Sequence, residues 1–168
     1  MQRRTWLKLG AVSATVLILA GGTVALLQPG LQQGRLSPGA QEVFASVGRA
    51  ILDGTLPKEP AANQAALAGL LQRIDALAQA LPPHAQAELS QLLGILGTGV
   101  GRRTLAGLSS DWRSAGVVEV QQALQSMRSS RLGLRLQSYQ ALHEIVGAAY
   151  FSDASTWPAL GYPGPLKI

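Results

Sequence analysis

Asn63-Gln64-Ala65-Ala66-Leu67-Ala68-Gly69-Leu70-Leu71-Gln72-Arg73-Ile74-Asp75-Ala76-Leu77-Ala78-Gln79-Ala80-Leu81, closed by Pro82-Pro83, is the stretch that decides the fold. Leu67, Leu70, Leu71, Ile74, Leu77, Ala78 and Leu81 recur at steps of three and four, which winds them into one apolar stripe on a helix. The two prolines end that helix, because proline lacks an N–H and its ring clashes with the preceding turn. Proline suits the first turn of a new helix, where its N–H would be unpaired anyway. The spacing therefore predicts a helix over 63–81 and another opening at Pro83, carrying Leu89, Leu92, Leu93 and Leu96.

The same pattern extends in both directions. Upstream, Leu36-Ser37-Pro38 reads as a helix start, with Ser37 as cap and Pro38 in the first turn. Val43, Val47, Ala50 and Ile51 follow at helical spacing, Gly54 ends that element, and Leu56-Pro57-Lys58-Glu59-Pro60 reads as a loop. Downstream, Gly94, Gly97, Gly99 and Gly101 loosen the chain. With no preceding strand and no Walker lysine, these glycines match no phosphate-binding loop and read as a helix end. A short helix is expected over 103–108, one over 112–127 capped by Ser110-Asp111, and a long final one over 130–150. In the last, Leu132, Leu136, Tyr139, Leu142, Val146 and Tyr150 form the stripe, with Trp112 and Tyr150 as core anchors. The one strand-like run, Gly116-Val117-Val118-Glu119-Val120, sits in helical surroundings. The fold expected is all-α: a bundle of roughly five helices over residues 37–152.

Two flanks differ in composition. Residues 28–36 are polar, with Gly and Gln, and read as a linker. Residues 153–168 read as an extended strap, because Pro and Gly interrupt Trp157-Pro158-Ala159-Leu160-Gly161-Tyr162-Pro163-Gly164-Pro165 too often for a helix. Its large aromatics call for a surface to pack on, either the bundle itself or another chain.

Composition excludes several chemistries. The chain has no cysteine, which removes disulfides, thiolate catalysis, cysteine-ligated clusters and covalent haem. Its charge of +5 falls to +2, 11 cations against nine anions, once Arg3, Arg4 and Lys8 are set aside. That is too small and too scattered for a nucleic-acid footprint, so no nucleic-acid partner is expected. Arg128, Arg131 and Arg135 come closest to a patch and at helical spacing would share one face. His84 and His143 lie far apart, and His143-Glu144 does not open a zinc-protease motif because Gly147 stands where the second histidine belongs. No two carboxylates fall three or four residues apart, and the serine pairs at 109–110 and 129–130 lack a nucleophile elbow. No catalytic, cofactor-binding or metal-ligating set emerges, which points to a binding or structural role.

The first residues carry a different kind of information. Arg3-Arg4-Thr5-Trp6-Leu7-Lys8 precedes an uncharged, largely apolar run from Leu9 to Leu27. This resembles the signal of the twin-arginine export pathway, whose receptor reads paired arginines followed by an aromatic, a leucine and a lysine. Gln2 and Trp6 depart from the usual pattern, which has Ser or Thr and Phe at those places. An ordinary secretory signal or a single membrane anchor is the other reading, since about 20 apolar residues span a bilayer. Residues 1–27 are thus a signal or an inner-membrane anchor, and Thr23-Val24-Ala25 only hints at cleavage.

Further segments resemble the gluconate 2-dehydrogenase subunit 3 family, the small subunits of membrane-associated flavin dehydrogenases of the glucose–methanol–choline type. They are Leu36-Ser37-Pro38, Ala50-Ile51-Leu52-Asp53-Gly54-Thr55-Leu56-Pro57, Asp111-Trp112-Arg113-Ser114, Arg128-Ser129-Ser130-Arg131-Leu132, Tyr150-Phe151, and Trp157 with Gly161-Tyr162-x-Gly164-Pro165. The resemblance implies a non-catalytic accessory subunit, exported folded to the periplasm. Its partner would be a large subunit that holds FAD and oxidises a sugar, sugar acid or alcohol, with a multihaem cytochrome c as electron acceptor. The twin-arginine pathway carries folded proteins, so a signal on this chain would serve a cofactor bound by the other. The interface expected comprises Arg128, Arg131, Arg135, Trp157, Gly161, Tyr162 and Gly164. Two other classes stay open: a stand-alone anchored scaffold, and a helical carrier enclosing a lipid or quinone.

Overall fold

Ser37 opens the central helix. Its Oγ accepts from the Ala40 N–H at 3.3 Å and Pro38 fills the first helical position, so α1 (Pro38–Ile51) starts where the cap signal places it. The computed structural model describes residues 28–162 and Gly164. The expected signal, with Arg3, Arg4, Trp6, Leu7 and Lys8, lies outside the described residues, as do Pro163 and residues 165–168 of the strap.

Four further helices surround α1: α2 (Pro60–Ala80), α3 (Pro83–Gly97), α4 (Val117–Arg128) and α5 (Gly133–Phe151), and α1 packs against every one of them. The fold is all-α, as its stripes require. Val43, Phe44 and Val47 of α1 are fully buried and meet Leu70 and Ile74 of α2, Leu93 and Leu96 of α3, Val120 and Met127 of α4, and Leu142 and Val146 of α5 in one cluster. Each such side chain contributes about 1.5–3 kcal/mol relative to exposure, which makes α1 the organiser of the bundle. At the head of α2, the Glu59 carboxylate accepts from Ala62 N–H at 2.6 Å and Ala61 N–H at 3.1 Å. The Ala62 bond, then the Ala61 bond, holds its pKa below the ordinary glutamate value.

The segment expected as a linker is structured. Leu31–Gln32 pairs antiparallel with Arg35–Leu36 as strands β1 and β2, joined through Gln33 and Gly34, both at positive φ (52° and 78°). That is a type I′ turn, whose twist matches a two-residue hairpin. Leu31 and Leu36 are buried, Gly30 N–H donates to Ser90 O at 3.0 Å, and Leu36 N–H donates to Asp75 Oδ1 at 2.7 Å. Backbone contact is close here: a Cβ on Gly30 would stand 2.4 Å from Leu93 Cβ, and one on Gly94 would stand 2.8 Å from Gln28 O. The hairpin is a short cover over α2 and α3.

Three other expectations shift. The short helix placed at 103–108 is a turn of α-helix over Gly99–Gly101 running into a π-helix over Arg102–Ala106, ended by Gly107 at φ 76°. The helix expected from Trp112 begins at Val117, because Trp112 turns inward to 3% exposure and its Nε1–H donates to Leu96 O at 2.8 Å. Extended backbone at Gly116 then restarts the chain as a helix. Leu132, expected as the first core residue of the last helix, stands before α5 and is 66% exposed.

Candidate functional site

The strap settles beside the end of α5. Residues Ala154–Leu160 form a 3₁₀-helix, which corrects the expectation that Pro158 and the glycines forbid helical structure. Tighter turns of three residues need only short runs, and Pro158 contributes its carbonyl, which accepts from Gly161 N–H at 3.0 Å. Gly161 at φ 70° ends the turn, and Gly164 follows at φ 97°. Both lie in the left-handed region that glycine occupies without strain.

Asp153 fixes the start of this unit. Its Oδ1 accepts from Ser155 N–H at 3.0 Å and Ser155 Oγ at 2.7 Å, while Oδ2 pairs with Arg73 Nη1 at 3.1 Å. Ser155, through its hydroxyl and then its N–H, together with the Arg73 guanidinium holds the Asp153 carboxyl below the ordinary aspartate value. Arg73 Nε also donates to Ala149 O at 2.8 Å, tying α2 to the last turn of α5. Thr156 Oγ1 donates to Asp153 O at 2.8 Å, and Trp157 Nε1–H donates to Phe151 O at 2.8 Å.

The aromatic rings then stack. Trp157 and Tyr162 meet edge to face with centroids 5.4 Å apart, and Tyr150 and Phe151 do the same at 5.3 Å. A Cβ on Gly164 would stand 3.6 Å from the Trp157 ring, so this glycine lies alongside the indole. Tyr150 is buried, yet Phe151 is 45% exposed and Tyr162 48%. Such pairs hold each other in place beyond their area burial and leave an ordered apolar surface facing outward. Of the expected interface residues, Trp157, Gly161, Tyr162 and Gly164 are brought together here.

The three arginines are not. Arg128 is the last residue of α4, Arg131 lies in the connection, and Arg135 is in the first turn of α5. The single helical face expected for them is broken because Ser129 Oγ donates to Gln125 O at 2.9 Å and Ser130 Oγ accepts from Leu132 N–H at 3.2 Å, both competing with helix continuation. Arg128 and Arg131 are exposed. Arg135 turns inward, with Nε on Leu105 O at 2.9 Å and Nη2 on Ser126 Oγ at 3.0 Å. It acts as a clip between the π-turn, α4 and α5. From Arg135 to Phe151, α5 climbs about 24 Å, so arginines and strap occupy opposite ends of one helix.

Elsewhere the chemistry is sparse. His84 and His143 are exposed and far apart in the chain, and His143 rests 5.5 Å from the Tyr139 ring beside an open depression that Ile51, Gln121 and Leu124 also line. Among the described residues no three of His, Asp and Glu gather to hold a metal ion. Arg102 is buried and pairs with Asp111, and its Nε has no hydrogen-bond partner among the described residues. Arg73, which no sequence motif marks, proves central to the strap, and Phe151, marked only within the Tyr150-Phe151 resemblance, supplies the carbonyl that Trp157 bonds. Arg73 carried a weak signal as a cation on the edge of an apolar stripe, but its partner Asp153 lies 80 positions away. Comparison with known families, with curated proteins and with solved structures returns no match to this chain.

Proposed function

We propose that this chain is a non-catalytic accessory subunit of an exported FAD-dependent dehydrogenase acting on a sugar, sugar acid or alcohol. In this reading residues 1–27 supply the export signal, the bundle is the rigid body, and the strap grips the flavoprotein. FAD belongs to the partner, and a multihaem cytochrome c takes the electrons onward. The observation that supports it is the strap itself. Asp153 and Arg73 fix the start of the strap, Trp157 packs on the Tyr162 ring and bonds Phe151 O, Tyr150 packs on the Phe151 ring, and Phe151 and Tyr162 each stay about half exposed. Ordering those rings before binding removes part of the entropy that association costs. Aromatic anchors of this type dominate the energetics of interfaces.

The test is a pull-down from a native-host extract, scanned for a flavin-containing polypeptide, by wild type and by Tyr162→Ala. Tyr162 closes the aromatic pair and lies outside the bundle core, so the variant should keep its helical circular dichroism. The reading expects affinity to fall by at least about 30-fold, the scale of a hot-spot residue. Trp157→Phe separates ring from hydrogen bond: it retains an aromatic face and should bind better than Trp157→Ala. Undiminished binding by both Tyr162→Ala and Trp157→Ala would remove the strap as the docking surface.

A further inference from the structure

We infer that the corner where α4 passes into α5 rests on an anionic lipid surface, with Arg103, Arg128 and Arg131 on the headgroups and Leu132 beneath them. The inference does not rest on the flavoprotein partner.

Charge is the first argument. The sequence has no carboxylate between Glu88 and Asp111 and none between Glu119 and Glu144, and these two stretches hold Arg102, Arg103, Arg128, Arg131 and Arg135. Folding brings the two together: Arg135 donates to Leu105 O in the π-turn and to Ser126 Oγ in α4, and its guanidinium lies beside Gly107. Of the four carboxylates that border the stretches, Asp111 pairs with Arg102 and Glu119 accepts from Ser110 N–H. The ion pairs among the described residues use Arg73, Arg102 and Arg113. Arg103, Arg128 and Arg131 are exposed and lie within 4 Å of no carboxylate among the described residues.

Exposed apolar side chains accompany these cations. Val100 is 75% exposed, Leu132 66% and Leu134 39%. Leucine beside arginine matches an interface where arginine meets phosphate and leucine enters the acyl boundary.

The path of the chain supplies the third argument. The uncharged run from Leu9 to Leu27 joins the described fold at Gln28, whose carbonyl packs against Gly94 in the last turns of α3. From there α3 leads directly through Val100 and Arg102 to the π-turn that Arg135 clips to α4 and α5. The chain thus enters the described fold beside the α3 terminus that feeds this corner, and the strap sits at the far end of α5. Three arginines at an anionic surface favour it over a neutral one on the order of 100-fold.

The absence of cysteine makes the test clean. Leu132→Cys and Tyr162→Cys, each in the full chain, are labelled with an environment-sensitive fluorophore and mixed with vesicles of phosphatidylcholine, with or without phosphatidylglycerol. The label at 132 should brighten and shift to the blue with the anionic vesicles, lose that shift at high salt, and lose it again in an Arg128→Gln/Arg131→Gln background with unchanged circular dichroism. The label at 162 should not respond. An equal response in neutral vesicles, an equal response at 162, or a label at 132 that is shielded only by a protein partner would each overturn the inference.

Discussion

Replacing Gly30 with alanine tests how firmly the hairpin is seated. The new Cβ would lie 2.4 Å from Leu93 Cβ and 2.6 Å from Ser90 O, distances that no packed atoms tolerate. Neither neighbour can swing aside, since one is the root of a core side chain and the other is helix backbone. Two responses are available. If α3 and the hairpin shift apart and stay docked, overpacking costs about 1–3 kcal/mol. If the hairpin lifts, the burial of Leu31 and Leu36 is lost at about 1.5–3 kcal/mol each, together with the Gly30 and Leu31 bonds to Ser90 at 3.0 Å. The smaller cost governs, so the expected destabilisation is about 1–3 kcal/mol. For a domain of this size each kcal/mol moves Tm by about 3–5 °C, giving a fall of about 3–15 °C. Urea or thermal melts followed by circular dichroism read this directly. Gly39→Ala, where a Cβ meets nothing within 4 Å, is the control and should melt no lower than wild type. A Gly30→Ala protein as stable as wild type would show that the hairpin does not dock on α3, and the reasoning from Gly30 and Gly94 would fall with it.

Other perturbations separate further parts of the structure. Trp112→Phe keeps an aromatic plug and deletes the donor to Leu96 O, so urea melts should show a loss of about 2–4 kcal/mol from the unpaired carbonyl and the smaller ring. Gly147→Ala, inside α5 with nothing within 4 Å of the new Cβ, should raise stability by about 0.5–1 kcal/mol in the same assay. Glu59 and Asp153 both have lowered folded-state pKa values, so their contribution is complete above the unfolded values of 4.5 and 3.8 and is lost as pH falls through the folded ones. Stability measured from neutral pH down past these values should therefore drop in wild type and drop less in Glu59→Gln/Asp153→Asn; an unchanged acid slope in the double variant would count against both caps.

Where the sequence signal was local, the fold was legible. Ser37-Pro38 starts α1, Leu70, Ile74 and Ala78 face the core, and Pro82-Pro83 divides α2 from α3, because caps, stripes and prolines act within one or two turns. The hairpin was not legible. Two residues per strand are too few to show alternation, and Gln33-Gly34 is not the usual pair for a turn that needs positive φ at both centres. Trp112 was rightly expected in the core, yet the turn that takes it there depends on Leu96 O, 16 positions away, and so the start of α4 was placed five residues early. Helical spacing alone puts Arg135 on one face with Arg128 and Arg131. Only the folded arrangement, which puts Leu105 O and Ser126 Oγ within its reach, shows it to be a half-buried clip. Pro158 and the glycines rule out an α-helix and so suggest an extended strap, whereas a 3₁₀ turn admits Pro158.

The accessory-subunit account is tested most directly by gentle affinity purification of the full chain from its native host, followed by gel filtration and a scan for flavin absorbance. The account predicts a flavin-containing polypeptide several times larger than this 17.6 kDa chain that co-elutes with it, and that Arg3→Lys/Arg4→Lys strands in the cytoplasm. A chain that elutes alone and colourless would contradict it.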